Sequence, residues 1–451
     1  MSPRLIVRGA SPTLAALLLI ACGAHREGAL RADLRAQLHR ADPHPPPAPA
    51  DGELAQYVAY AASAHPSIRA DYERWRAAVH RIEPARRMPD PMVTYAFYAS
   101  SVQTRVGPQR HRLGARQEIP WPTQLTAAAD AQAYEAQAAQ RRMEARLLAL
   151  RAPVAAAWWR LWAVRRTREV QRERLILLDA LAEAARARLE VGHATLADVG
   201  QLDLARARQD DGLRSLDEEE RTAEAALRAA IAAPADVELT TARDVAPASL
   251  PAQPAEALAE AVRAHPRLEA FELSARAREA QAGAVEGTRF PSFVLGVDWI
   301  ETGEAPMPVN GSGDDAFMVS VGVRVPIFGQ AAADDAMRAQ EAEAAAARAD
   351  REVAELSAIE ALHEALGALR ETHRRLRFYE RTLLPQARGV YESVAGAYAT
   401  GSVGVAEAIR AAGDLLDIEL DAIRARAQHG AAWARVEALT GRPAEREVGD
   451  E

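Results

Sequence analysis

The chain repeats one series of helix-breaking and strand-ending motifs, in the same order, in its two halves. A His-Pro pair begins at His65 and again at His265, and a proline follows alternating apolar residues at Pro120 and again at Pro326. The interval between equivalent positions grows slowly along the chain, which indicates an old duplication with small insertions and not a short-period solenoid. Each copy predicts a helix, two strands, a long helix, a glycine turn and a returning helix.

The predicted strands are most evident in the second copy. Residues 293–300 and 317–325 alternate apolar with small or polar side chains, which is typical of a strand with one apolar face. Strands of about 9–10 residues have the length that a tilted membrane-spanning β-strand needs. The smallest membrane barrels need about eight strands, and an open edge in lipid leaves backbone groups unpaired. Four strands therefore predict that several copies assemble, with the polar positions facing a water-filled channel.

The predicted fold class is mainly α, with long antiparallel coiled-coil helices plus four β-strands and an internal tandem duplication. Alanine inflates the hydrophobic fraction of 49%, and small side chains let long helices pack closely. A helix is expected from Pro122 to about residue 190 with a kink at Pro153, and a second one from Gln330 with an interruption at Pro385. The predicted segments are a signal peptide (1–21), a lipidated cysteine and Pro-rich linker (22–50), a first repeat (51–245, strands 92–101 and 111–119), a second repeat (246–442, strands 292–300 and 316–327) and a polar tail (443–451).

The first residues have the pattern of a secretory signal. Two arginines precede an apolar stretch that is too short to span a bilayer as a helix. Leu19-Ile20-Ala21-Cys22 resembles a bacterial lipobox, in which the cysteine becomes the lipid-carrying first residue. Gly23 follows, and by the same resemblance this favours the outer membrane over retention at the inner membrane. Because Cys22 is the only cysteine, an internal disulfide is excluded.

Several classes of function find no support in the sequence. The net charge is −8 and no basic stripe stands out, which argues against a nucleic-acid partner. No phosphate loop, nucleophile elbow or acid/base pair is present, so neither an enzyme nor a cofactor is expected. The histidines are scattered without the spacing of a metal site, and no metal ligands are predicted. His65 and His265 are interpreted as helix-break residues.

The chain resembles the TolC family of outer-membrane efflux channels, because the same motifs occur in the same order in both of its halves. The resemblance covers about residues 53–442 and rests on the two His-Pro helices, the strand ends and the glycine turns. Tyr398-Ala399-Thr400-Gly401 matches the family's Tyr-x-x-Gly turn, whereas Leu189 stands at the first position of the turn at Gly192. The positions that mark the junctions between strand and helix are Pro120, Pro122, Pro326 and Gly329.

The resemblance implies a homotrimer whose chains share a twelve-strand transmembrane β-barrel in outer-membrane lipid. It also implies a helical barrel in the periplasm that docks an adaptor (membrane fusion) protein, which is fed by an inner-membrane pump of the RND type. Met88-Pro89-Asp90-Pro91-Met92 and Pro120-Trp121-Pro122 are similar to the heavy-metal-cation branch (CzcC- or CusC-like). Efflux of drugs or solvents and type I protein secretion stay open as alternatives.

A second class of function is a lipid-anchored periplasmic coiled-coil adaptor or scaffold without a pore. That alternative predicts a β-rich lipoyl-like module between the helical arms, and none is visible in the sequence. It also leaves the alternation in the predicted strands unexplained.

In the family, acidic side chains just past each glycine turn narrow the periplasmic tip. By motif, these positions are Asp198 after Gly192 and Glu407 after Gly401. Carboxylates ringed around a threefold axis would repel one another and attract cations. Gln201 and Arg410 stand where a second acid is common in the family. The alternative role of the two acids is to stabilise the start of a helix through its dipole.

Three tryptophans lie close together in the first long helix. Trp158, Trp159 and Trp162 have the spacing of one helical surface. Core or subunit-contact packing is the favoured interpretation, and stacking on a ligand is the alternative.

Overall fold

The computed structural model describes residues 28–36, 51–307 and 309–441. In this part of the chain it is mainly helical with one antiparallel four-stranded sheet, which confirms the predicted fold class. The helices are α1 (28–36), α2 (Leu54–Ala64), α3 (Pro66–His80), α4 (Ile82–Arg86), α5 (Pro122–Ala149), α6 (Arg151–Glu190), α7 (Leu196–Ile231), α8 (Ala255–Arg263), α9 (Pro266–Gly287), α10 (Gln330–Phe378), α11 (Leu384–Ala399) and α12 (Val405–Thr440). The strands are β1 (Met92–Thr104), β2 (Gly107–Ile119), β3 (Ser292–Thr302) and β4 (Ala316–Arg324).

The chain divides into two compact units. The sheet unit comprises the described residues of Met1–Arg40, Tyr72–Arg141 and Glu269–Glu352. The helical unit comprises those of Ala41–Asp71, Arg142–Leu268 and Val353–Glu451. The predicted signal peptide, Cys22 and the polar tail lie outside the described residues.

The sheet has the strand order β1-β2-β3-β4, so the hairpin of one copy pairs with the hairpin of the other through β2 and β3. The first hairpin is longer than predicted, because its turn lies at residues 105–106 and Thr104 pairs with Gly107. Gly107 opens β2 with φ +140°, a conformation that a side chain would strain. A Cβ there would also lie 1.6 Å from the carbonyl oxygen of Gly303.

Prolines set several element ends. The prediction of β4 to residue 327 was wrong: β4 ends at Arg324, because Pro326 has no N–H for the ladder and the Ile327 N–H turns back to the Val325 carbonyl. The helix after Pro122 is interrupted at Leu150, the turn before Pro153, because a proline cannot donate to the carbonyl four residues earlier.

The second long helix deviates ahead of its proline. Residues Tyr379–Leu383 form a π-helical segment between α10 and α11, in which the Leu384 N–H bonds to the Tyr379 carbonyl. Such a widened turn removes the conflict between the ring of Pro385 and the carbonyl one turn earlier.

The main core of the helical unit lies where α6 packs against α7, α12 and α2. The side chains of Trp158, Trp159 and Trp162 are buried there, and Trp159 contacts each of the other two edge to face. Two of them also hold the backbone of connecting segments: the indole N–H of Trp158 donates to the Gly52 carbonyl at 3.0 Å, and that of Trp162 donates to Arg243 at 3.4 Å. The tryptophans are core residues, as the sequence predicts.

We expect Gly430→Ala to destabilise the helical unit by about 1–3 kcal/mol, because overpacking a filled core has this cost. A Cβ at Gly430 would lie 2.0 Å from Cε2 of Trp159. Gly413→Ala, in the same helix, is the control, since its Cβ would meet nothing closer than 3.7 Å and alanine favours a helix. The midpoint of thermal unfolding should fall for the first variant and rise or stay level for the second. Equal midpoints would contradict the tight packing of Trp159 on α12.

Candidate functional site

One face of the sheet is apolar and exposed. In register across the four strands, Tyr95, Leu113, Trp299 and Phe317 form one row. The other exposed apolar side chains of this face are Val93, Phe97, Phe293, Leu295, Val297, Val319, Val321 and Val323. All of them are between 40% and 69% exposed in the single chain. A contiguous exposed apolar surface of this kind marks a contact site for a membrane or for another protein.

The opposite face of the sheet carries the ion pairs, together with a few apolar side chains such as Met318. Arg112 on β2 donates to Asp298 on β3 at 2.9 Å, and the Asp298 side chain is only 3% exposed. Gly114 leaves room for this carboxylate, because a Cβ at that position would lie 2.4 Å from Asp298 Oδ1. At the other end of this face, Glu118 accepts from Arg324 at 2.6 Å. The period-two alternation of the sequence is thus a physical division into an apolar and a polar surface.

The two glycine turns of the helical unit share one geometry. Gly192 has φ +79° and Gly401 has φ +80°, so each adopts the left-handed conformation that ends a helix. In both turns the glycine N–H bonds three residues back at 3.0 Å, and the next residue's N–H bonds five residues back. These are the two hydrogen bonds of a Schellman motif, which explains why the turn motif recurs in both copies.

Asp198 is part of the start of α7. Its carboxylate accepts from the N–H and from the hydroxyl of Thr195, both at 2.8 Å, while its own N–H donates to Thr195 Oγ1 at 3.1 Å. This reciprocal pair is a capping box. The hydrogen bonds from Thr195 hold the pKa of Asp198 below its usual value. The equivalent helix α12 begins at Gly404 without a side-chain cap.

The other tip residues that the sequence singled out are exposed. Glu407, Gln201 and Arg410 make no side-chain hydrogen bond or ion pair within the described part of the chain. Glu407 is therefore available to ions in solution, whereas one of the two carboxylate oxygens of Asp198 is occupied by Thr195.

Arg188 fastens the two turns to each other, a role that the sequence did not reveal. From the end of α6 it donates to the carbonyls of Tyr398 at 3.1 Å and Ala399 at 3.3 Å, at the end of α11. Its guanidinium also lies 5.2 Å from the ring centre of Tyr398. These carbonyls belong to the last turn of a helix, where a cation is stabilised by the helix dipole.

Four proline and glycine positions connect strands to helices in the sheet unit. Pro120 is buried after the end of β2, and Pro122 is the first residue of α5, where a missing N–H costs nothing. Pro326 follows β4, and its carbonyl accepts from the Gly329 N–H at 3.4 Å just before α10.

The duplicated His-Pro motif forms a helix cap that sequence reasoning missed. The Nδ1 atom of His65 accepts from the N–H of Ser67 at 3.1 Å, and Nδ1 of His265 accepts from Arg267 at the same distance. Each histidine thus satisfies a free N–H in the first turn of the helix that its proline begins. Burial lowers the pKa of His265, which favours the neutral ring that this hydrogen bond requires. The sequence signal for this cap was the proline that follows each histidine, because proline favours the first position of a helix.

Within the described residues, no group of three His, Cys, Asp or Glu side chains is placed to hold a metal ion. In the same residues, none of the helices combines the length and the apolar character needed to cross a membrane.

We expect Arg188→Gln to loosen the turn at Gly401, because two charge-assisted hydrogen bonds are lost. Hydrogen bonds to charged groups contribute about 1.5–3 kcal/mol when they are shielded from solvent. Solvent at this exposed site reduces the contribution. Amide hydrogen exchange at residues 400–402 should therefore accelerate by roughly tenfold. Arg186→Gln is the control, since the partners of Arg186 among the described residues are Glu183 and Asp203, both in its own copy. Exchange that is equally slow in all three proteins would show that Arg188 does not stabilise the turn.

The second copy also matches a known family in sequence. Residues 257–442 match the model of the family described as outer membrane efflux protein. Over 173 residues the chain is 29% identical to the outer membrane efflux protein BepC of Brucella suis biovar 1 (strain 1330). This match covers 38% of the chain and 37% of BepC, so the chain spans little more than a third of the curated relative it matches.

The fold is shared with solved channel structures. A structure of CusC, described as concerned with folding and transmembrane channel formation, superposes with a TM-score of 0.70 over 87% of this chain and 92% of CusC, at 15% identity. The open state of the Neisseria gonorrhoeae MtrE outer membrane channel gives a TM-score of 0.67 over 89% of this chain and 92% of MtrE, at 17% identity. At these identities the similarity establishes a common fold.

Proposed function

We propose that this chain is one subunit of an outer-membrane efflux channel, a passive duct that catalyses no reaction. The observation that carries this proposal is the sheet with one exposed apolar face and one polar face. Lipid chains are the cover that such an apolar face needs, and the polar face with its Arg112–Asp298 ion pair suits a water-filled lumen. The family match of residues 257–442 and the fold shared with MtrE and CusC support the same function.

The sheet also supports a trimer. Within the described residues, the outer edges of β1 and β4 have no strand beside them. An open edge in hydrocarbon costs several kcal/mol for each unpaired backbone group. In the proposed assembly β4 of one subunit pairs with β1 of the next, and three subunits close a barrel of twelve strands.

The proposed partners are a periplasmic adaptor protein and an inner-membrane pump of the RND type. The exposed turns at Gly192 and Gly401 are the surfaces proposed to meet the adaptor. The proposed anchor is a lipid on Cys22, which holds the chain to the outer membrane. Heavy-metal cations or toxic small molecules are the proposed cargo, and the motif around Pro89 and Pro91 supports the metal cations. A scaffold without a pore would leave the apolar face in water.

The proposed orientation of the sheet can be tested with neighbouring residues of β4. Val321 lies on the apolar face and is 68% exposed, whereas Ser320 lies on the polar face. We expect Val321→Arg to prevent membrane assembly, because an arginine facing the bilayer midplane costs about 2–4 kcal/mol. Ser320→Arg should assemble as the wild type does. Outer-membrane fractions analysed for a heat-modifiable trimer provide the measurement, and a normal trimer with Val321→Arg would exclude lipid on this face.

Glu407 and Asp198 are proposed to form an acidic constriction at the tip. We expect Glu407→Gln with Asp198→Asn to raise single-channel conductance and to reduce the preference for cations by roughly twofold, because ringed carboxylates attract cations. Asparagine keeps an oxygen that can accept from the Thr195 N–H, so the cap of α7 is retained. Glu190→Gln, on the other side of the first turn, is the control. Equal conductance and cation preference of the wild type and the double variant in planar-bilayer recordings would contradict the proposed constriction. The proposed duct would be unaffected by that result.

A further inference from the structure

The end of α10 and the π-helical segment after it carry a cluster of exposed arginines. Residues 370–381 contain five arginines and two glutamates, in a chain whose net charge is −8. Both glutamates are engaged inside the chain, Glu371 with Arg374 and Glu380 with Arg426. The remaining arginines are exposed and have neither an ion pair nor a side-chain hydrogen bond among the described residues; they are Arg370, Arg375, Arg377 and Arg381.

The arginines of this cluster repel one another. Arg370, Arg374 and Arg377 follow at steps of four and three residues, which places them on one face of the helix. Arg381 comes four residues later, in the π-helical segment. Like charges at this spacing destabilise a helix. A negatively charged partner beside the cluster would offset the repulsion.

A cluster of the opposite charge lies on α7. Residues 210–220 contain six acidic residues and one arginine. Glu220 is bound by Arg168 of α6 at 2.6 Å, and Glu218 is exposed and pairs within its own helix. Glu219 is exposed and has no side-chain partner in the part of the chain that the structure describes. Both Glu218 and Glu219 are therefore accessible to a second molecule.

The two clusters belong to helices at the two ends of the packing order in the helical unit. In the middle, α6 packs against α12. On one side of this pair, α7 packs against α6. On the other side, α10 and α11 pack against α12, with Leu366 and Leu369 of α10 beside Trp433 of α12. A copy that extends this order would place its α7 next to α10 and α11 of the first copy.

The two clusters also lie at the same level along α6. Arg165 of α6 binds Glu220 at 2.8 Å, next to Glu219 in the chain. The residue after Arg165 lines one cavity together with Glu380, next to Arg381 in the chain. The exposed acids of α7 and the nearest arginines of the other cluster are therefore separated across the helical unit and not along it.

We propose that Glu218 and Glu219 of one subunit face Arg377 and Arg381 of the next, so that opposite charges close each seam between subunits. A closed ring of identical copies joins two different surfaces of each chain. The two surfaces here are acidic and basic, and such complementarity selects the partner surface and fixes the register. This seam presupposes the trimer of the proposed function and names the helices that meet in it.

Charge reversal in the full-length protein extracted from outer membranes tests the seam. Arg377→Glu with Arg381→Glu, or Glu218→Arg with Glu219→Arg, would place like charges on both sides of all three seams. At a fixed temperature the half-life of the trimer on a denaturing gel should shorten by roughly tenfold in each variant. All four substitutions in one chain exchange the two charges, so the half-life should return to within about twofold of the wild type.

The matched control is Arg160→Glu with Arg172→Glu. Both arginines are exposed on α6, in the middle of the packing order, and neither has a side-chain partner among the residues that the structure describes. The control changes the net charge as much as the arginine reversal does, and the half-life of its trimer should equal that of the wild type. High salt should bring the half-lives of all these proteins together, because it screens exposed charges.

Cysteine cross-linking tests the level at which the helices meet. Glu219→Cys with Arg381→Cys, treated with a short bismaleimide, should give covalent dimers and trimers. Glu219→Cys with Arg370→Cys is the control, because Arg370 lies 11 residues from Arg381, or roughly 16 Å along a helix. The control should remain monomeric on the same denaturing gel.

The possible failures separate the seam from the channel. A wild-type protein without a trimer would overturn the proposed assembly and the seam together. With a stable wild-type trimer, unchanged half-lives in both reversal variants would overturn the seam alone. A fourfold variant that is no more stable than either reversal variant, or equal cross-linking of the two cysteine pairs, would overturn it as well.

Discussion

The exposed apolar face of the four-stranded sheet is the constraint on which the rest of the structure depends. Within the described residues a single chain leaves Trp299, Phe317 and their neighbours uncovered, because they remain between 40% and 69% exposed. Water is a poor environment for such a surface, since each Å² of apolar area costs about 25 cal/mol. The same sheet has free backbone edges at β1 and β4 among the described residues. In the proposed channel, lipid covers the apolar face and neighbouring subunits pair with the free edges, so one sheet supports both the proposed membrane location and the proposed trimer.

The duplication produced two equivalent sets of elements. The two copies share the geometry of their glycine turns and differ in how the next helix begins. The turns at Gly192 and Gly401 have the same φ angles and the same hydrogen bonds. The helices that follow differ, because α7 begins with the capping box of Thr195 and Asp198 while α12 begins at an uncapped Gly404. Asp198 therefore stabilises the start of α7, whereas Glu407 makes no side-chain hydrogen bond or ion pair among the residues that the structure describes. The two acids are equivalent by motif and different in their contacts, although both remain negatively charged.

Much of the architecture follows from local sequence. The alternation in residues 293–300 and 317–325 predicted both the strands and their two-faced character, since neighbouring side chains of a strand point to opposite faces. The prolines predicted the interruptions at Leu150 and near Pro385 because each one removes a backbone donor. The ends of strands were less accurate: β1 and β2 extend through Thr104 and Gly107, because hydrogen bonding between the strands outweighs the turn preference of Gly107-Pro108. The histidine caps at His65 and His265 were missed, since histidine is an uncommon residue for that role.

The sequence by itself determined the mainly helical class, the duplication, the four strands and the apolar side of β3 and β4. The helices, the strands and their faces depend on neighbours within a few residues. Only the tertiary structure decided that β2 pairs with β3, that Arg188 bonds to the turn of the other copy, and that Trp159 packs on Gly430 of α12. These contacts join residues that are far apart in the chain. No local propensity specifies them, and they exist only because the packing of whole helices and strands brings the partners within reach.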